Sequence, residues 1–174
     1  MENELALVYV SLLDEGTPTI RPTNAEPLGG KLYRLLPTKR YDPEVETWEF
    51  LPGSIVVCER MMTDYGTWVL QAVSAVQALD SDAALRAKAA TETPPVVVWV
   101  ETQLKWLWRK TTMTRIVNAE PLGDDLFRIL PKKRNNAHPL WKETSEFPPG
   151  SIVLCERTQS KDGVWELRPV RRVG

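Results

Sequence analysis

One histidine and two cysteines are all that 174 residues offer of the side chains that most readily bind metals or serve as bases near neutral pH. Two thiols, Cys58 and Cys155, fall short of the dense disulfide framework of a small secreted domain. No apolar run approaches the ~20 residues of a membrane span, so no membrane association is expected. The start, Met1-Glu2-Asn3-Glu4-Leu5, is acidic where a signal peptide is basic, and the cytoplasm is the expected compartment. Gly-x-Ser-x-Gly, phosphate-loop and dinucleotide fingerprints are missing, which removes support from the motif-bearing enzyme classes. No catalytic residue, cofactor or metal site is therefore expected.

What the chain does have is 43% apolar and 26% charged composition, enough for one ordinary domain or two very small ones. Its formal net charge of −1 conceals two unlike halves. Residues 1–93 hold 8 Lys/Arg against 14 Asp/Glu, net −6, and residues 94–174 hold 14 against 9, net +5. Such asymmetry suggests mutual attraction of the halves or an acidic partner for the basic one.

The strongest signal is internal repetition. Asn24-Ala25-Glu26-Pro27-Leu28-Gly29 returns as Asn118-Ala119-Glu120-Pro121-Leu122-Gly123, and Leu32-Tyr33-Arg34-Leu35-Leu36-Pro37 as Leu126-Phe127-Arg128-Ile129-Leu130-Pro131. Phe50-Leu51-Pro52-Gly53-Ser54-Ile55-Val56-Val57-Cys58-Glu59-Arg60 matches Phe147-Pro148-Pro149-Gly150-Ser151-Ile152-Val153-Leu154-Cys155-Glu156-Arg157. Twelve of 17 positions agree between 24–40 and 118–134, and nine of 11 in the later block. So long a period means a duplicated domain, since a solenoid needs several shorter units.

Within each copy, short β-branched and aromatic segments bounded by Gly, Pro, Asp or Asn read as strands of an antiparallel meander. The first copy predicts five: Leu5 to Leu13, Ile20 to Pro27, Lys31 to Leu36, Ser54 to Arg60 and Thr67 to Val73. Asp162-Gly163 is a strong hairpin pair in the second. Alternation sends Tyr33, Leu35, Phe127 and Ile129 inward and Arg34 and Arg128 to water. Five short strands in about 70 residues suit a small barrel that removes its own edges. The expected fold is thus all-β: two tandem SH3-like barrels, an acidic one over 1–73 and a basic one over 95–174. Residues 74–94 form a linker in which Ser81 to Ala90 is helical, stopped by Thr93-Pro94-Pro95. So short a helix needs an apolar contact through Val76, Leu79 or Leu85 to be ordered.

Val8-Tyr9-Val10-Ser11-Leu12-Leu13-Asp14-Glu15-Gly16-Thr17, Tyr41-Asp42-Pro43-Glu44 and Trp48-Glu49-Phe50-Leu51-Pro52-Gly53-Ser54 resemble a group of small uncharacterised bacterial proteins that usually carry one copy of this pattern. The resemblance covers nearly all of the first copy and the Asn-Ala-Glu-Pro-Leu-Gly to Cys-Glu-Arg portion of the second. It implies the same fold and a bacterial cytoplasmic setting, and it supplies no functional residues. The second copy departs from the pattern at Glu101 to Lys110 and lacks the Tyr-Asp-Pro-Glu loop.

Several residues invite a chemical role. His138, in Asn135-Asn136-Ala137-His138-Pro139, has the composition of a surface loop. Cys58 and Cys155 each follow three apolar residues and read as small buried hydrophobes. Asp42, Glu44, Glu46 and Glu49 lack the glycine and spacing of a calcium loop and read as a solvated acidic loop. In the second copy Leu104, Trp106 and Trp108 share one strand face, on a hairpin expected to be longer than its first-copy counterpart. Trp106, Trp108, Arg109 and Lys110, with Lys132, Lys133, Arg134, Arg168, Arg171 and Arg172, are the candidate surface for a protein partner, since Trp and Arg dominate interface hot spots. The two indoles could instead pack within the protein. Aromatic and cationic groups together also suit single-stranded nucleic acid. With a pI near 5.9 for the whole chain, nucleic acid is the second reading. The first is a non-catalytic protein-interaction module, an adaptor or an inhibitor of the immunity type.

Overall fold

The computed structural model describes residues 4–39, 41–78, 81–90, 94–106, 109–131 and 142–174, with the backbone alone at 78, 81, 104–106, 109–110 and 142–143. The described residues are all-β apart from one short α-helix and one 3-10 turn at Val76–Ala78, and their strands form two sheets, each drawn from one copy of the repeat.

The first sheet contains β1 (Ala6–Leu13), β2 (Thr19–Gly29), β3 (Leu32–Leu35), β4 (Thr47–Trp48), β5 (Ile55–Met62) and β6 (Trp68–Ala75). The five strands read from the sequence correspond to β1, β2, β3, β5 and β6, with ends differing by one or two residues. The two-residue β4 is too short to carry a periodic signal. Hydrogen bonding runs β2-β3-β5-β6-β1-β4, and β2 also pairs with β1, so the pairing is cyclic. The ring closes through one parallel bridge, Tyr9 to Gln71. Val8, Val10, Leu35, Val56 and Cys58 are fully enclosed within it. Burial of side chains the size of Leu35 contributes roughly 2 kcal/mol each. As the alternation requires, Tyr33 and Leu35 are buried while Arg34 is exposed and pairs with Glu26 at 3.2 Å.

The helix α1 spans Ser81–Ala89, with Asp82 in its first turn and Arg86 and Lys88 in its last, as the helix dipole favours. Of the three apolar candidates for its docking, Leu85 is exposed, Val76 is half-buried and Leu79 lies outside the described residues; the backbone N–H of Lys31 donates to the carbonyl of Ala87 at 2.8 Å, using an acceptor of the helix end. A β-carbon on Gly30 would collide with the carbonyls of Ala87 and Lys88, and Gly30 has φ +59°. Only glycine meets both demands.

The second sheet contains β7 (Val97–Trp106), β8 (Arg109–Gly123), β9 (Leu126–Ile129), β10 (Lys142–Ser145), β11 (Ile152–Gln159) and β12 (Trp165–Arg172), in the order β10-β7-β8-β9-β11-β12. Its core gathers Val98, Val100, Ile129, Phe147, Val153 and Cys155.

The compact units follow the sheets with one exchange. Unit one comprises Met1–Met61, Val69–Pro94 and Gln159–Trp165; unit two comprises Met62–Trp68, Pro95–Thr158 and Glu166–Gly174. Each unit thus includes the tip of the last hairpin of the other copy. The tips are built alike. In one, the N–H of Thr63 donates to the carbonyl of Thr67 and that of Gly66 to the carbonyl of Thr63; in the other, Ser160 donates to Val164 and Gly163 to Ser160. The hydroxyls of Thr63 and Ser160 accept from the N–H of Thr67 and Val164 at 3.3 and 3.1 Å. Gly66 and Gly163 take the left-handed conformation the turn needs, φ +75° and +82°.

The repeated asparagines receive these tips. In unit one the N–H of Trp165 donates to Oδ1 of Asn24 at 2.9 Å, and Nδ2 of Asn24 donates to the carbonyl of Gly163 at 2.9 Å. In unit two the N–H of Trp68 donates to Oδ1 of Asn118 at 2.7 Å, and Nδ2 of Asn118 donates to the carbonyl of Trp68 at 2.8 Å. Both asparagine carbonyls already accept within their own copy, from the N–H of Leu36 and of Leu130, each at 2.9 Å. Further bonds seat each tip: Lys39 N–H to the carbonyl of Asp162 at 2.9 Å, and the Thr67 hydroxyl to the carbonyl of Ile116 at 3.2 Å. Thr67 and Val164, at matching tip positions, are 2% and 3% exposed.

Candidate interaction surface

The two copies differ most in their first hairpins. In the first copy, β1 and β2 pair from Ala6–Ala25 to Leu12–Thr19. In the second, β7 and β8 pair from Val97–Asn118 to Trp106–Arg109. Because Asn24 faces Leu7 and Asn118 faces Val97, Leu12–Thr19 corresponds to Thr102–Met113. The second hairpin therefore runs on through Gln103–Thr112, Leu104–Thr111, Lys105–Lys110 and Trp106–Arg109. β10 widens this extension to three strands, pairing Lys142–Lys105, Glu143–Leu104, Thr144–Gln103 and Ser145–Thr102.

The register sets Lys142, Lys105 and Lys110 in one row across β10, β7 and β8, and Trp106–Arg109 is the next row. The extension carries threonines on β8, at 111 and 112, of a residue type whose β-branching favours the extended backbone.

Of the sequence-derived candidates, Trp106, Arg109 and Lys110 sit at the end of this ribbon by backbone register. Trp108, Lys132, Lys133 and Arg134 lie outside the described residues, as does His138. Arg171 and Arg172 are exposed near the end of β12, and Nε of Arg172 donates to the carbonyl of Gly174 at 3.0 Å. Strand pairing separates them from the ribbon, since β8, β9 and β11 intervene between β7 and β12 in the hydrogen-bonded order. Arg168 is engaged with Glu166 at 2.9 Å, and Arg128 with Glu120 at 2.8 Å, so part of the second copy's positive charge is neutralised locally. Sequence reasoning passed over Lys105 and Lys142, which only the pairing of β10 with β7 places in line with Lys110.

The cysteines are both buried. Burial pushes the Cys58 thiol up to about 12; burial, then the charge of Asp125, pushes Cys155 up to about 11. Thiols so placed are inert near neutral pH. In the acidic loop Asp42, Glu44 and Glu49 are exposed, in line with a solvated loop, and Glu46 is half-buried. Asp42 Oδ1 accepts the N–H of Glu44 at 3.0 Å, and the N–H groups of Val45 and Glu46 donate to the Asp42 carbonyl. One oxygen of Glu46 accepts from Arg21, the other from the indole N–H of Trp48, whose ring meets Tyr41 edge-on at 5.3 Å. Glu46 raises the pKa of the Arg21 guanidinium through this hydrogen bond, and Asp162 of the seated tip adds a smaller Coulombic contribution.

Among the described residues no helix is long and apolar enough to cross a membrane. Compared with protein-family models, curated proteins and solved structures, the chain gives no match in any of the three.

Proposed function

We propose that the chain is a pair of small SH3-like barrels joined by a helical linker, acting in a bacterial cytoplasm as a non-catalytic protein-interaction module, an adaptor or an immunity-type inhibitor. The cyclic pairing of β1, β2, β3, β5 and β6 supports the barrel reading for the first copy, and the resemblance to single-copy bacterial proteins supports the setting. The observation that carries the functional reading is the β7–β8 ribbon, which outruns its first-copy counterpart and ends in a lysine row beside Trp106 and Arg109. A register row of three lysines is complementary in charge to an acidic protein surface, with Trp106 and Arg109 in the next row as anchors.

The alternative is nucleic-acid binding through the basic second copy. The ion pairs of Arg128 and Arg168 with carboxylates favour the protein reading, because those cations are partly spent before any phosphate arrives.

The test is capture with the full chain, its Trp106→Ala/Trp108→Ala variant and its Lys105→Glu/Lys110→Glu variant. A protein held by the wild type and lost by both variants, each still folded by circular dichroism, is the expected result. Retention of every captured protein by both variants removes the ribbon as the site. Filter binding of RNA and DNA at two salt concentrations separates the alternative, which requires retention that falls steeply with salt.

A further inference from the structure

Each hairpin tip is a ligand and each repeated asparagine its receptor. Two hydrogen bonds from one carboxamide read the backbone of an extended chain segment, as a neighbouring strand would: donor to carbonyl, acceptor to N–H. Such recognition takes little notice of which molecule supplies the segment. The contacts lie inside a compact unit in both cases, yet they join residues 139 and 141 apart in one unit and 50 apart in the other. The seat is a built one. Asn24 is 7% exposed, and the side chain following the tip glycine, Val164 in one tip and Thr67 in the other, is enclosed. The exchange is reciprocal, so each copy gives one tip and receives one.

We infer that tip capture is a binding reaction between two copies of the repeat that does not depend on their covalent connection. Two polypeptides, each carrying one copy, pair through the same two seats. The occupant of each seat is a second copy of this repeat, presenting a Ser- or Thr-started turn with glycine at its fourth residue and tryptophan at its sixth. Covalent fusion raises the effective concentration of each tip at its seat without supplying the contact itself.

The test uses the whole chain with a protease recognition sequence placed at 91–93, cut to completion after folding. The expected result is that the severed halves stay together as one species with the mass of the uncut chain, through gel filtration and dilution to micromolar concentration. Asn24→Ala and Asn118→Ala, made separately, each weaken the pairing about tenfold, and the double variant weakens it further. Circular dichroism of the uncut variants reports whether they fold. Should the alanine variants not fold, Asn24→Asp and Asn118→Asp, which keep the acceptor and lose the amide donor, take their place. Separation of the wild-type halves on cutting overturns the inference. So does pairing that none of the folded asparagine variants weakens.

Discussion

Arg21 and Glu46, 25 residues apart in sequence, meet in a fork in which Nε and Nη2 both donate to Oε1 of Glu46, at 2.8 and 2.6 Å. The other carboxylate oxygen accepts from the indole of Trp48 at 3.2 Å, so one side chain ties β2 to the buried aromatic of β4. Glu46→Ala leaves Arg21 and the Trp48 indole without this partner and is expected to cost about 1–2 kcal/mol, Glu46→Gln less. Urea unfolding followed by tryptophan fluorescence measures both. Glu26→Ala, which removes the exposed partner of Arg34, is the contrast and shifts stability by no more than about 0.5 kcal/mol.

Gly30→Ala drives a β-carbon into the last carbonyls of α1 and forces a left-handed backbone on a residue with a side chain. The expected loss is roughly 2–4 kcal/mol, from the sum of a conformational and an overpacking cost. Gly16→Ala, with open space around the new methyl, stays within about 0.5 kcal/mol. Equal effects of the two in chemical denaturation contradict the close approach of helix and turn.

Because burial raises both thiols, the folded state holds their protons more tightly than the unfolded state does. The stability this represents is complete below the ordinary thiol range of about 8.5–9 and is lost as pH rises toward 11–12. Thermal melts from pH 8 to 11 check the direction, and Cys58→Ala/Cys155→Ala loses less stability across that window than wild type. In folded protein at pH 8, a thiol reagent labels neither cysteine until denaturant is added.

Hydrogen exchange reads each seat separately. Asn24→Ala speeds exchange of the Trp165 amide about tenfold or more and leaves that of Trp68 unchanged, while Asn118→Ala does the converse. Simultaneous loss of protection at both amides from either substitution would mean that the seats do not act independently.

Duplication, strands and core were legible because they are local. Arg34 between Tyr33 and Leu35 states its own alternation, and Cys58 after three apolar residues states its own burial. The helix was legible from its composition, but its docking was not, since a backbone carbonyl meeting a turn leaves no mark except Gly30. The asparagines were visible as repetition only. Their signal is a carboxamide inside a strand, between Thr23 and Ala25 or Val117 and Ala119, at a position where no turn follows. Nothing local says which hairpin a carboxamide will hold, because both tips have the same turn chemistry. The lysine row was hidden for a related reason: Lys142 is distant in sequence from Lys105, and pairing alone aligns them.

The exchange of tips also imposes an order on biosynthesis. Unit two receives Met62–Trp68, made well before the rest of that unit, so its borrowed piece is waiting when β7 and β8 emerge. Unit one must wait for Gln159–Trp165, which the ribosome adds after β7, β8, β9 and β10. Each unit is thus finished by a segment of the second copy, unit one by Gln159–Trp165 and unit two by Glu166–Gly174, and Asn24 stays unanswered until the former leaves the exit tunnel.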